Sequence, residues 1–134
     1  MAFSDTYRLS AHAVITDDRG RALLLRQSYG DGRWGLPGGS PEKGETMEAA
    51  LVRECKEELG LDVAIRCLTG VYYHSEFDSH VFIFGCGPID AASIRLSEEH
   101  TEHRFFDLRE LGEIQRRRIA DCLSYEGTVR FRKF

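Results

Sequence analysis

An α/β or α+β fold is what this sequence predicts, and three observations carry it. Apolar, β-prone runs lie on both sides of a helical stretch at residues 46–59, a second helical stretch follows at 113–123, and the chain has 134 residues with 42% hydrophobic and 30% charged content. That size suits one core and is too small for two, so the expected organisation is a single domain over residues 1–134.

Taken in order, residues 7–16 (YRLSAHAVIT) predict a strand, the Asp17-Asp18-Arg19-Gly20 cluster a turn, and Ala22 to Arg26 a second strand. His12 sits within the first strand; a lone histidine in such a run is more often structural than a ligand, and no role is assigned to it. Residues 27–33 (QSYGDGR) form a polar loop that delivers Trp34 and the Pro37-Gly38-Gly39 turn, where glycines let the backbone approach an ion or phosphate closely. After the first helix, residues 62–74 (DVAIRCLTGVYYH) read as two β-prone stretches broken at Thr69-Gly70, and 80–86 (HVFIFGC) as a compact strand. Between them, Phe77 in the SEFDS loop is a candidate for stacking on a base, and Tyr72, Tyr73 and His74 could also face a ligand. Residues 87–104 read as a polar connection, with Phe105-Phe106-Asp107-Leu108 as a strand after it. The second helix, Glu113 to Leu123, has Ile114, Ile119, Cys122 and Leu123 as its apolar positions, and the tail GTVRFRKF reads as an edge strand or a dimer contact.

The first helix carries the chemistry. Residues 46–59 contain no proline or glycine; Thr46 is the expected N-cap, Glu48 complements the positive end of the dipole, and Gly60 stands where a left-handed residue ends a helix. At about 100° per residue, Leu51, Val52, Cys55 and Leu59 share one arc, while Glu54, Glu57 and Glu58 share another. An acidic arc of this kind is ordinarily a solvated face. Here Glu54 repels Glu58 at i,i+4 and Glu57 at i,i+3, Lys56 points away, and Arg53 lies at the edge. Converging carboxylates beside a glycine-rich loop suit a hard divalent cation such as Mg²⁺ or Mn²⁺ as the missing counter-charge.

Residues 39–61 (GSPEKGETMEAALVRECKEELGL) resemble the signature of the Nudix hydrolases, Gx5Ex7REUxEExGU, with U a bulky aliphatic residue. Gly39, Glu45, Arg53, Glu54, Glu57, Glu58, Gly60 and Leu61 fall in register, and the preceding Trp34-Gly35-Leu36-Pro37-Gly38 is similar as well. Cys55 departs from the pattern, where the family has Leu, Ile or Val; as a small buried hydrophobe it bears on packing more than on chemistry. The resemblance implies an α/β/α sandwich around a mixed sheet and a divalent-metal hydrolase acting on a nucleoside diphosphate linked to another moiety. It further implies metal ligation by Glu54, Glu57 and Glu58 with the carbonyl of Gly38, and a structural pair of Glu45 with Arg53. Gly39 and Gly60 support the loop and helix. Glu99, six residues before Phe105 at the position of a family tryptophan, matches a loop carboxylate that completes the metal site; Glu98 and Glu102 compete for that part. Glu54 is the first choice of general base, with Glu99 or Glu102 as rivals. Arg26 matches a substrate-phosphate arginine or is a surface arginine at a strand end, and Trp34 packs near the site or simply in the core.

A net charge of −4 gives no electrostatic footprint for a nucleic-acid polymer, so a small anionic substrate would have to be held by local Arg or Lys and metal; the resemblance implies that this substrate is a nucleotide. Cys55, Cys67, Cys86 and Cys122 show no CxxC spacing, which points to buried free thiols and a reducing compartment. The first ten residues lack a basic start and an apolar core, and no run has membrane-spanning length, so a cytoplasmic protein without membrane contact is expected. Monomer and homodimer are both open. Nucleoside triphosphates, including oxidised ones, are the first substrate class, with nucleotide sugars and ADP-ribose next, because the downstream proline associated with ADP-ribose hydrolases is missing. A nucleotide sensor without hydrolysis is the alternative of another class; the intact trio of Glu54, Glu57 and Glu58 speaks against it.

Overall fold

The computed structural model describes residues 3–134. Its strands are β1 (Arg8–Val14), β2 (Ala22–Gln27), β3 (Trp34–Gly35), β4 (Gly38–Gly39), β5 (Ile65–His74), β6 (Ser79–Cys86), β7 (His100–Phe106) and β8 (Arg130–Lys133). The helices are α1 (Met47–Leu59) and α2 (Glu113–Leu123). A five-stranded mixed sheet runs β4-β1-β6-β5-β8, with β1 parallel to β6 and β8 parallel to β5; a smaller antiparallel sheet runs β3-β2-β7.

Strand alternation sets the layers. Ala11 and Ala13 of β1, with Ile15 just beyond it, pack with Leu51, Cys55 and Leu59 of α1, whereas Val14 packs with Tyr72, Ile83 and Ile119 of α2. One helix therefore covers each face of the central sheet, giving the expected α/β/α order. Burying Leu51 and Leu59 completely stabilises the α1 layer by about 1.5–3 kcal/mol each. Cys55, also fully buried among them, fills its aliphatic position without a polar demand. All four cysteines are free, Cys55 and Cys86 buried and Cys67 and Cys122 half-buried. Among the described residues, no helix is long and apolar enough to cross a membrane.

Four expectations change. Residues 65–74 form one strand through Thr69-Gly70, because the pairing with β6 shifts register between Leu68 and Gly70. A side chain at Gly70 would strike the ring of Tyr72, so this glycine makes room in the strand. The polar connection after residue 87 ends at His100, where β7 begins; Glu102, His103 and Arg104 pair with β2 through their backbones while their side chains stay in solvent. On α1, Val52 is 37% exposed and Glu58 only 4%, the reverse of the amphipathic expectation. On α2, Ile114 and Leu123 are exposed and Asp121 is buried instead. The tail is an edge strand, β8, beside β5.

Candidate active site

Helix α1 is fixed at both ends by local chemistry. The Thr46 hydroxyl accepts the Ala49 N–H at 3.1 Å, and Gly60 adopts φ 70° while its N–H returns to the Lys56 carbonyl. Between these ends, Arg53 ties the helix to the loop before it. Its Nε and Nη2 donate to the two oxygens of Glu45 at 2.8 and 2.9 Å, and Nη2 also donates to the Ser40 carbonyl at 3.1 Å. Those bonds hold the Glu45 carboxyl down to about 2. Arg53 Nη1 donates to Glu54 at 2.8 Å and, more weakly, to Glu57 at 3.4 Å. The acidic arc thus has a counter-charge within the chain: Arg53, at the edge of that arc in the helical projection, curls over it.

The turn opposite the helix is closely fitted. Gly38 adopts φ 141°, and a side chain there would collide with the Ala11 carbonyl on the neighbouring strand. A Cβ at Gly39 would come within 2.7 Å of the Glu54 carboxyl carbon. Only glycine lets β4 lie between β1 and α1. The Gly38 N–H then donates to Glu58 Oε1 at 2.8 Å, which explains how a carboxylate occupies a buried helix position.

A cleft of about 290 Å³ opens at this point, where β3 and β4 form the edges of the two sheets. Glu54, Glu58, Glu99 and Gly38 line it, and so do His12, Gln115 and Arg118. Burial pushes the Glu58 carboxyl up to about 8, with the charges of Glu54, Glu99 and Glu57 adding to the effect. Burial also raises Glu54, against the pull of Arg53. His12 donates from Nδ1 to the Leu36 carbonyl at 3.1 Å, and burial, reinforced by the charge of Arg118, brings its pKa down to about 4, so its ring is neutral. His100 places Nε2 4.0 Å from Glu58 and leaves a buried Nδ1 without a partner.

These residues fit a hard divalent cation. Three carboxylates and a backbone carbonyl are the donor types such ions take; burial raises the pKa values of Glu54 and Glu58, and the neighbouring carboxylates add to that effect. Among the described residues no three His, Cys, Asp or Glu side chains are grouped tightly enough to hold an ion by themselves. Water and substrate oxygens would complete the shell, as is usual for Mg²⁺.

The other predicted residues lie around the cleft. Glu57 is largely exposed beside Arg53. Arg26 pairs with Glu102 at 3.0 Å in a surface depression beside the 27–33 loop. That pairing engages Glu102, and of the two exposed residues Glu98 and Glu99 it is Glu99 that lines the cleft. Trp34 packs edge-on against Phe106 at 5.0 Å, half-buried in the α2-side core. Phe77, 56% exposed, lines a second trough with His74 and Val81, and Arg118 lines both this trough and the cleft. Tyr72 is fully buried and bonded to Asp121, and the Tyr73 hydroxyl donates to Asp78. Sequence reasoning passed over Gln115, Arg118 and His100. The stretch Gln115-Arg116-Arg117-Arg118 reads as a solvated basic face, and only the packing of α2 turns Arg118 toward the cleft.

Comparison with known proteins identifies the family and the fold. The family model described as NUDIX domain matches residues 6–123. A MutT-like protein of Streptomyces ambofaciens is 32% identical over 125 residues, covering 90% of this chain and 80% of that protein. An ADP-ribose pyrophosphatase of Methanocaldococcus jannaschii is 35% identical over 118 residues, covering 78% and 68%. The crystal structure of an ADP-ribose pyrophosphatase from Streptococcus suis superposes with a TM-score of 0.78 at 25% identity, covering 96% of this chain and all of that one. The chain belongs to the Nudix hydrolase family.

Proposed function

We propose that this protein hydrolyses a nucleoside diphosphate linked to another moiety with the help of Mg²⁺ or Mn²⁺, a nucleoside triphosphate being the first substrate class. The observation that carries this reading is the meeting of Glu54, Glu58 and Glu99 with Gly38 in one cleft. When bound, the divalent cation neutralises the pyrophosphate oxygens and acidifies a water. Gly38, Glu54, Glu57, Glu58 and Glu99 are the residues that would hold it.

Glu54 serves as general base in this reading, because burial raises its proton affinity while Arg53 fixes one of its oxygens. Glu99, on the same cleft, is the rival for that proton; Glu102 is engaged by Arg26. Arg53 and Glu45 hold the loop at the correct distance from the helix. Arg26 could reach a substrate phosphate only by releasing Glu102. The polar cleft is small and suits a phosphate chain, with the nucleoside lying beyond it, where Phe77 offers a ring for stacking. ADP-ribose is the second substrate reading, favoured by the 35% identical relative named for that activity.

The test is product release from nucleoside triphosphates, dinucleotides, ADP-ribose and nucleotide sugars, with and without Mg²⁺ or Mn²⁺. Metal-dependent turnover of one class is expected. Glu57→Gln should abolish it without unfolding the protein, and Glu54→Gln should lower kcat by roughly 10²–10⁴-fold. Retained, metal-dependent turnover in Glu57→Gln would sink the metal assignment.

A further inference from the structure

Arg118 is a mostly buried cation without an acidic partner. Its Nε and Nη2 both donate to Gln115 Oε1, at 3.2 and 2.6 Å, and among the described residues no carboxylate lies within ion-pair distance of it. A buried charge held only by a neutral amide is costly to keep, and burial brings its pKa down to about 10, so it still carries its proton at neutral pH. Arg118 instead faces open space.

That space is double. Arg118 lines the carboxylate cleft, together with His12 and Gln115, and it also lines the adjoining trough of about 350 Å³ formed with Arg8, His74, Phe77, Ser79 and Val81. The guanidinium therefore stands at the junction between an acidic end, suited to a metal-bound phosphate chain, and a trough with an exposed phenyl ring. His74 adds a second sign of a missing ligand, since its Nε2 is buried without a hydrogen-bond partner. His12 is neutral and offers no competing charge. Gln115 acts as a positioning residue: it engages Nε and one Nη2 proton, and among the described residues Nη1 and the other Nη2 proton have no hydrogen-bond acceptor.

We propose that Arg118 binds the phosphate attached directly to the nucleoside, and so sets the direction in which the substrate lies: base toward Phe77, remaining phosphates toward Glu54 and Glu58. The assignment rests on the pyrophosphohydrolase reading for the second half of that statement only. A nucleotide phosphate supplies the anionic acceptor that Arg118 lacks, and a base supplies the flat apolar surface that fits the ring of Phe77. The product of either substrate class above would be a nucleoside monophosphate, which keeps both of these contacts.

The experiment is equilibrium binding without added metal, in chelator, of AMP, GMP, CMP and UMP and of the four matching nucleosides. Wild type is compared with Arg118→Met, close in length and uncharged, and Arg118→Lys, which keeps the charge without the fork; the melting temperature of each variant verifies folding. At least one monophosphate should bind wild type more tightly than its nucleoside, Arg118→Met should weaken that monophosphate about tenfold or more and leave the nucleoside unchanged, and Arg118→Lys should recover part of the loss. Equal monophosphate affinity in wild type and Arg118→Met overturns the proposal. Equal weakening of nucleoside and monophosphate also overturns it, since Arg118 would then read the base. In steady state, Arg118→Met should raise KM with a smaller change in kcat. Failure of wild type to turn over any substrate, with the monophosphate result intact, would instead count against the hydrolase reading and leave this phosphate site standing.

Discussion

Glu58 shows how one residue can be legible in kind and illegible in environment. Its spacing from Glu54 marks it as part of an acidic cluster, yet nothing local says that it is 4% exposed and bonded to the Gly38 N–H. Its folded pKa, about 8, lies above the ordinary 4.5, so the folded protein without metal holds a proton that the unfolded chain releases between those values. Stability is then greatest below pH 4.5 as far as this group is concerned, and is lost as pH rises toward 8. In chelator, the melting temperature should fall from pH 5 to pH 8.5 by several degrees more in wild type than in Glu58→Gln. Saturating Mg²⁺ should remove most of that difference by supplying the counter-charge. Identical slopes in the two proteins, measured by thermal denaturation, would show that Glu58 is not the titrating group. Arg118 was illegible for a similar reason: the direction of a side chain on α2 is set by the sheet beneath it, and not by its neighbours in sequence.

At the scale of elements, α1 was readable because its signals are local. Thr46 caps the first turn, and Gly60 ends the last one in the left-handed region, where a Cβ would also press on Arg95 at 3.3 Å. Thr46→Ala should cost about 1 kcal/mol through the lost cap. Gly60→Ala should cost about 1 kcal/mol or more through backbone strain and crowding. The two sites lie at opposite ends of the helix, so chemical denaturation of the double variant should show near-additive losses. A clearly smaller sum would mean that one terminus frays in the native state. The strands were less readable, because pairing supplies what composition withholds. The middle of β7, Thr101 to Arg104, is polar with its side chains in water, and only Phe105 and Phe106 at its end reach the core; the polar part is a strand because β2 offers a complementary edge. β5 passes through Thr69-Gly70, a dipeptide that reads as a break, by means of a register shift.

Across the whole molecule, the least legible feature is the one that joins the tail to the core. In the sequence EIQRRRIADCL, Asp121 looks like part of a polar helix face, but the structure buries it between α2, β5 and β8. Tyr72 donates its hydroxyl to Asp121 Oδ2 at 2.8 Å, and Arg132 of β8 donates through Nε and Nη2 at 2.7 and 2.9 Å. The tail is further held by the Phe134 N–H on the Tyr73 carbonyl at 2.8 Å, and its ring lies parallel to that of Tyr72 at 5.9 Å. The acid therefore fastens three elements from separate parts of the chain, and this requires a partner strand that arrives only after the helix has ended. Arg132 holds the Asp121 carboxyl below its ordinary value of 3.8. A depressed carboxyl contributes stability that is present above pH 3.8 and lost as pH falls through the lower folded pKa. Asp121→Asn should cost about 2 kcal/mol near neutral pH, after allowance for the partial exposure of Arg132, and Tyr72→Phe about 1 kcal/mol. Asp121→Asn combined with Arg132→Ala should cost less than the sum of the single changes, because each removes the same bond. Below pH 3.8 the gap between wild type and Asp121→Asn should narrow, and hydrogen exchange should show β8 opening first in the variant. A constant gap across the acid range would mean that Asp121 acts through packing and not through its charge.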